Sequence, residues 1–174
     1  IAPSIDAFSP KNVSIEPAAQ DAILAITGIR GEDGHQDAVF TRHDGTPGRV
    51  DRLAQITGGG KVPDGVPLVT QVSRWDRLKD PIGVMQGFVE FVAPGTDAHL
   101  LLVGPDVEAV TDDPEGLEVL RECQASWEAL PDDVRERVHL ISLPMDDPEE
   151  NAAVVNAIQR ASDVIVQKSL AEGF

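Results

Sequence analysis

Tyrosine is absent from this 174-residue chain, aromatic residues make up 4% of it, and cysteine occurs once. The lone thiol, Cys123, forms no internal disulfide and fits a reducing, cytoplasmic setting. No run of about 18 apolar residues is present, so no membrane span is expected. His35, His43, His99 and His139 lack metal-site spacing, and beside a single cysteine no zinc site is expected. Positive charge is also scarce. Fourteen Lys and Arg face thirty Asp and Glu, a net charge of -16, which argues against nucleic acid or an anionic membrane as partner. An anionic ligand therefore needs a local cluster of cations working against the overall field. Gly59-Gly60-Lys61 is no phosphate-binding P-loop, because no glycine precedes it at the right distance and Val62 replaces Ser or Thr. No G-x-G-x-x-G fingerprint and no G-x-S-x-G elbow occur.

What remains is enough for a packed core. Hydrophobic residues make up 41% of the chain, mostly Val, Leu, Ile and Ala, in a length that suits one domain plus a tail. Residues 1–66 lack strong periodicity and are rich in Gly, Asp and Pro. Asp21 to Ile26 suits a short helix, and the segments around His43 to Gly48 suit a small hairpin. The stretch 21–66 reads as an insertion or arm. From Pro67 the pattern changes to buried-type strands at Leu68–Val72, His99–Val103, Val138–Ile141 and Val164–Val166. Helical spacing lies between them, at Ile82–Val92, Glu115–Leu130 and Glu149–Arg160. Asp80-Pro81, Asp113-Pro114 and Asp147-Pro148 give all three helices the same start signal, an Asp cap followed by Pro at the first helical position. The fold class is α/β, a Rossmann-like parallel sheet with helices on both faces and an irregular N-terminal arm.

Chemistry concentrates at two strand ends. After the first strand, Ser73-Arg74-Trp75-Asp76-Arg77-Leu78-Lys79-Asp80-Pro81 places three cations within six residues, just before a helix N-terminus. Arginine forks, a lysine point charge and helix N–H donors suit a diphosphate. The same spacing also describes a solvated loop whose cations pair with Asp76 and Asp80. After the fourth strand, the turn Glu172-Gly173-Phe174 sets an acid where parallel sheets bind ligands, although an acid there also complements a helix dipole. Cys123 and Trp127 on a helix stripe, and His139 in a strand, read as packed residues. The chain opens on Ile1 and stops in this turn, so it reads as a fragment of a longer protein.

The segments Pro3-Ser4-Ile5-Asp6, Val72 to Pro81, Leu101-Leu102-Val103-Gly104, Asp112 to Gly116 and Gln159 to Phe174 together resemble one family. It is that of the retaining glycosyltransferases of the trehalose synthase (glycosyltransferring) type, within the glycogen-synthase-like group that has two Rossmann-like domains (GT-B). The resemblance covers most of 67–174 and the opening ten residues. It implies an interdomain connection over 1–20 and, over 67–174, a truncated nucleotide-sugar-binding domain. By the same resemblance, Ser73, Arg74, Lys79, Glu172, Gly173 and Phe174 bind the donor, and Arg74, Lys79 and Glu172 serve catalysis. Arg74 and Lys79 match the basic pair on the diphosphate, and Glu172 the first glutamate of an E-x7-E motif. Arg77 has a supporting electrostatic role. The implied reaction moves glucose from a nucleotide diphosphate glucose to glucose, with no cofactor, no metal and no protein nucleophile. A trehalose phosphorylase of the same fold and a non-catalytic binding module are the alternatives, and a homodimer is allowed for.

Overall fold

The computed structural model describes residues 6–31, 37–107 and 113–171. Helix α1 (Pro17–Ile26) comes first, followed by strands β1 (Val39–Thr41), β2 (Pro47–Arg49) and β3 (Gln55–Thr57). The second part runs β4 (Leu68–Val72), α2 (Pro81–Gly87), β5 (His99–Pro105), α3 (Pro114–Glu128), α4 (Asp132–Arg135), β6 (Val138–Leu143), α5 (Pro148–Ala161) and β7 (Val164–Ile165). Five strands make one sheet in the order β3-β6-β5-β4-β7, parallel except for β3, which pairs antiparallel with β6. Among the parallel strands, pairing runs outward from β4 through β5 to β6 and then returns to β4's other side with β7. That reversal is the topological switch of a Rossmann-like sheet.

Strand periodicity divides the core in two. Leu100, Leu102, Val138 and Leu140 face one side and pack with Val84 and Met85 of α2 and Val119, Leu120 and Cys123 of α3. Leu101, Val103, Ile141 and Leu143 face the other, against Ala153, Val154, Ala157 and Ile158 of α5. β5 is thus buried on both faces, as its unbroken apolar run requires. Cys123 is enclosed on the α3 stripe, where burial pushes its thiol up to about 12. Trp127 donates its indole N–H to the carbonyls of Arg135 and Val138, at 3.1 and 2.9 Å, fixing α3 to the start of β6.

The three Asp-Pro starts behave as expected. Asp80 accepts from the Gly83 N–H, Asp113 from Gly116, and Asp147 from Glu149 and Glu150. The first helical stretch is shorter than its spacing suggested. α2 ends at Gly87 and widens into a π turn over Phe88–Val92, which buries Phe88 and exposes Phe91.

The stretch expected as an arm shares the core. Ala22, Ile23 and Leu24 of α1, with Phe40 and Val50 from the hairpin region, are buried in the same cluster as α5. The hairpin itself is present, pairing Val39 with Arg49 and Thr41 with Pro47. Arg42 then latches it to the start of α5, reaching Asp147 Oδ2 at 2.8 Å and Glu149 Oε2 at 3.0 Å. Buried Glu150 accepts the N–H groups of Asp51 and Arg52 at 3.0 and 3.1 Å and pairs with the Arg52 guanidinium. Sequence periodicity misses this because the segment contributes isolated buried side chains and buried ion pairs instead of a repeating face.

Two buried histidines stack on the α5 side of the sheet, ring centroids 5.2 Å apart, with His99 Nδ1 2.9 Å from His139 Nε2. Burial lowers both, His139 to about 4 with help from its neighbour His99. The unfolded chain therefore binds these protons first. Their contribution to stability is complete above about pH 6.5 and declines as pH falls toward 4, by about 1.4 kcal/mol per pH unit for each proton held only by the unfolded chain. Asp147, held down to about 2 chiefly by Arg42, adds a separate loss below its ordinary range. Urea midpoints measured from pH 7 to 4 should fall steeply in the parent and less in His139→Gln. Equal slopes would mean that the pair does not titrate in this window.

Candidate functional site

At the sheet's reversal the loops that follow β4 and β7 leave neighbouring strand ends. Trp75 sets the first loop. Its ring is 3% exposed and lies over Gly104 at the end of β5, and its indole N–H donates to the Pro105 carbonyl at 2.9 Å. A Cβ on Gly104 would meet that ring at 2.5 Å, so only glycine admits the tryptophan here. Asp76 then caps a 3-10 turn over Arg77–Lys79 by accepting the Leu78 N–H at 2.7 Å. Gln71 donates to the Lys79 carbonyl at 2.7 Å, fixing the turn's far end. Asp80 follows at φ 49, a left-handed conformation that Asp tolerates better than most residues.

The second loop is joined to the first. The Leu170 N–H donates to the Leu78 carbonyl at 2.7 Å, and Lys168 pairs with Asp80. This brings the segment leading to Glu172 beside the cationic loop. Glu172, Gly173 and Phe174 themselves lie outside the described residues.

The three loop cations have different surroundings. Arg77 turns away to α3, reaching Glu122 at 2.7 Å, Glu118 at 3.1 Å and Glu115 at 3.7 Å. These carboxylates raise its pKa further and satisfy its fork. The backbone of Lys79 closes the turn, its N–H donating to the Asp76 carbonyl at 3.0 Å and its carbonyl braced by Gln71. Arg74 is 75% exposed and, among the described residues, makes one long contact, 3.3 Å to Asp76. The pairing with Asp76 that the spacing allowed is thus present but weak, and Asp80 is engaged by Lys168 and the α2 cap.

That cap alters one expectation. The α2 N-terminus already holds the Asp80 carboxylate, bonded to Gly83 at 3.1 Å, so that donor is not free to cradle a phosphate and the carboxylate repels one. Asp113 and Asp147 occupy the starts of α3 and α5 in the same way. An anion at these strand ends would have to be held by side chains.

Ser73 and Arg74 line an open cleft of about 370 Å³ at the ends of β4, β5 and β6. Val72, Val103, Gly104, Leu143 and Val155 form much of its floor, and Asn151 and Lys11 supply polar groups. Sequence reasoning did not single out Lys11 or Asn151, which lie far from the cationic loop along the chain. It also missed the seat of Trp75, whose one local signal is the glycine that ends β5.

Over its whole length the chain is 28% identical to a trehalose synthase of Rubrobacter xylanophilus, of which it covers 31%. Over 112 residues, 62% of the chain, it is 37% identical to a trehalose synthase of Pyrococcus horikoshii and covers 23% of that protein. Over a stretch of the same length it is 34% identical to one from Thermococcus litoralis, covering 24% of it. The chain is similar to trehalose synthases. It spans less than a third of the length of these curated relatives. No family model matches it.

The similarity to trehalose synthases extends through the switch-point loops, because the Rubrobacter alignment includes every residue. If Trp75 positions the cationic loop, filling its seat must disturb both stability and loop. Gly104→Ala should destabilise the fold by about 1–3 kcal/mol, read from urea unfolding, because the buried ring has nowhere to move. A variant as stable as the parent would show that Trp75 is not pinned at this seat.

Proposed function

We propose that this chain carries part of the donor site of a retaining glycosyltransferase that moves glucose from a nucleotide diphosphate glucose to glucose, forming trehalose. The observation that carries this reading is the similarity to trehalose synthases along the full chain, together with Ser73 and Arg74 on a strand-end cleft. Cleaving a sugar–diphosphate bond builds negative charge on the leaving phosphate and positive charge on the anomeric carbon. Arg74 and Lys79 would stabilise the leaving diphosphate through charge-assisted contacts. Glu172, with Gly173 and Phe174 beneath it, would contact the donor sugar. Arg77 contributes at a distance, since its fork is already filled by the acids of α3. No cofactor enters the proposed reaction, in which attack occurs on the face that the diphosphate leaves.

The test is an assay of the intact protein with glucose and a panel of nucleotide diphosphate glucoses, following nucleotide release and disaccharide formation. Trehalose from at least one donor is expected. Arg74→Ala and Lys79→Ala should each lose about 2–4 kcal/mol of transition-state stabilisation. Unchanged rates in both variants would remove the phosphate role assigned to them. Product only from trehalose and inorganic phosphate, as glucose 1-phosphate, would replace the transferase with a phosphorylase.

A further inference from the structure

We infer that Lys11 is a second cation on the strand-end cleft, closing on the phosphate groups of an anionic ligand from the side opposite the cationic loop. The inference rests on the donor-site reading above and adds a residue to it. Lys11 lies more than sixty positions from Arg74 along the chain, yet both line the same cleft.

The lysine is well placed because its backbone is held. Asn156 of α5, 3% exposed, donates both amide hydrogens to the segment, to the Pro10 carbonyl at 2.8 Å and the Val13 carbonyl at 2.8 Å. Its Oδ1 accepts from Arg160 Nε at 2.8 Å, and Arg160 reaches the Val13 carbonyl at 3.1 Å. Within the segment, the Asn12 N–H donates to the Ser9 carbonyl at 2.8 Å. Pro10 is buried and Lys11 is exposed. A buried asparagine that spends both donors on the Pro10 and Val13 carbonyls, which bracket Lys11 and Asn12, fixes where the lysine's stem begins.

Charge supports the same assignment. Among the described residues the other cations are largely committed. Arg30, Arg42, Arg49 and Arg52 pair with acids. Arg77, Arg135 and Lys168 do so too, and Arg137 is bonded to the carbonyls of Ala93 and Thr96. Lys11 has no acidic partner among the described residues, and Arg74 has the single long contact to Asp76. In a chain of net charge -16, Lys11 and the weakly paired Arg74 on one cleft concentrate positive potential where the Asp-capped helix starts offer none.

The test is calorimetric titration of the intact protein with inorganic pyrophosphate, ADP, UDP and the matching nucleotide diphosphate glucoses at two salt concentrations. The parent, Lys11→Met, Lys11→Arg, Arg74→Met and Arg121→Met are compared. Lys11→Met should weaken pyrophosphate and nucleotide diphosphate binding by roughly 5- to 30-fold. Lys11→Arg should keep most of the affinity. The exposed control Arg121→Met, which removes a charge without touching the cleft, should bind like the parent, and urea midpoints of all variants should agree. If Arg74→Met weakens binding while Lys11→Met does not, the inference about Lys11 falls and the donor-site reading stands. An equal loss in Arg121→Met would reduce the effect to net charge and also overturn it. If the parent binds none of these probes, both the reading and the inference fall.

Discussion

The crossing of the chain from one face of the sheet to the other at β4 is the constraint from which the site follows. α2 and α3 connect β4 to β5 and β5 to β6 on one face, while α5 returns on the other and sets β7 beside β4. Right-handed crossovers leave little choice once that strand order is adopted. The loops after β4 and β7 must then leave neighbouring strand ends, beside the cleft at the ends of β4, β5 and β6. Nothing in the loops themselves creates this space. The β4 loop is itself held by Trp75 on Gly104 and by the bond from Leu170 to Leu78.

Much of this was legible because the signals are local and repeated. Three Asp-Pro pairs fix helix starts by the same hydrogen bonds, so each supports the others. The unbroken run in β5 requires burial on both faces, and that is where it lies. β3 was not legible. Gln55-Ile56-Thr57 is only three residues long and joins as an antiparallel edge, where neither alternation nor an apolar run is needed. The burial of Glu150 was invisible for a different reason, since a buried carboxylate depends on partners from the Asp51–Arg52 backbone that no spacing reveals.

The candidate site divides along the same line. The cationic loop stands out as a cluster in a chain poor in cations, and its position after a strand and before a helix follows from pattern. Which of its cations faces a ligand does not. Local spacing treats Arg74 and Arg77 alike, the family resemblance favours Arg74, and the placement of Glu115, Glu118 and Glu122 on α3 separates them in the structure. Lys11 carries no signal of any kind in its own neighbourhood, because its relation to the cleft depends on an asparagine on α5.

A protein this acidic faces an electrostatic problem at any phosphate site, and the helix caps sharpen it. Many α/β proteins let bare helix N-termini receive the anion. Here Asp80, Asp113 and Asp147 fill those positions with carboxylates, which stabilises each helix start and adds negative charge at the ligand-binding ends of the strands. Lys168 on Asp80 and Arg42 on Asp147 offset two of the three. Screening limits exposed charges to a range of about 8–10 Å at ordinary ionic strength, so the distant acids of the surface weigh less than the few groups on the cleft. Recognition of an anion at these strand ends would thereby fall to long side chains, whose reach can adapt to a ligand but whose placement must be enforced. The buried anchors Trp75 and Asn156 would supply that enforcement, one at the β4 loop and the other at the segment that carries Lys11.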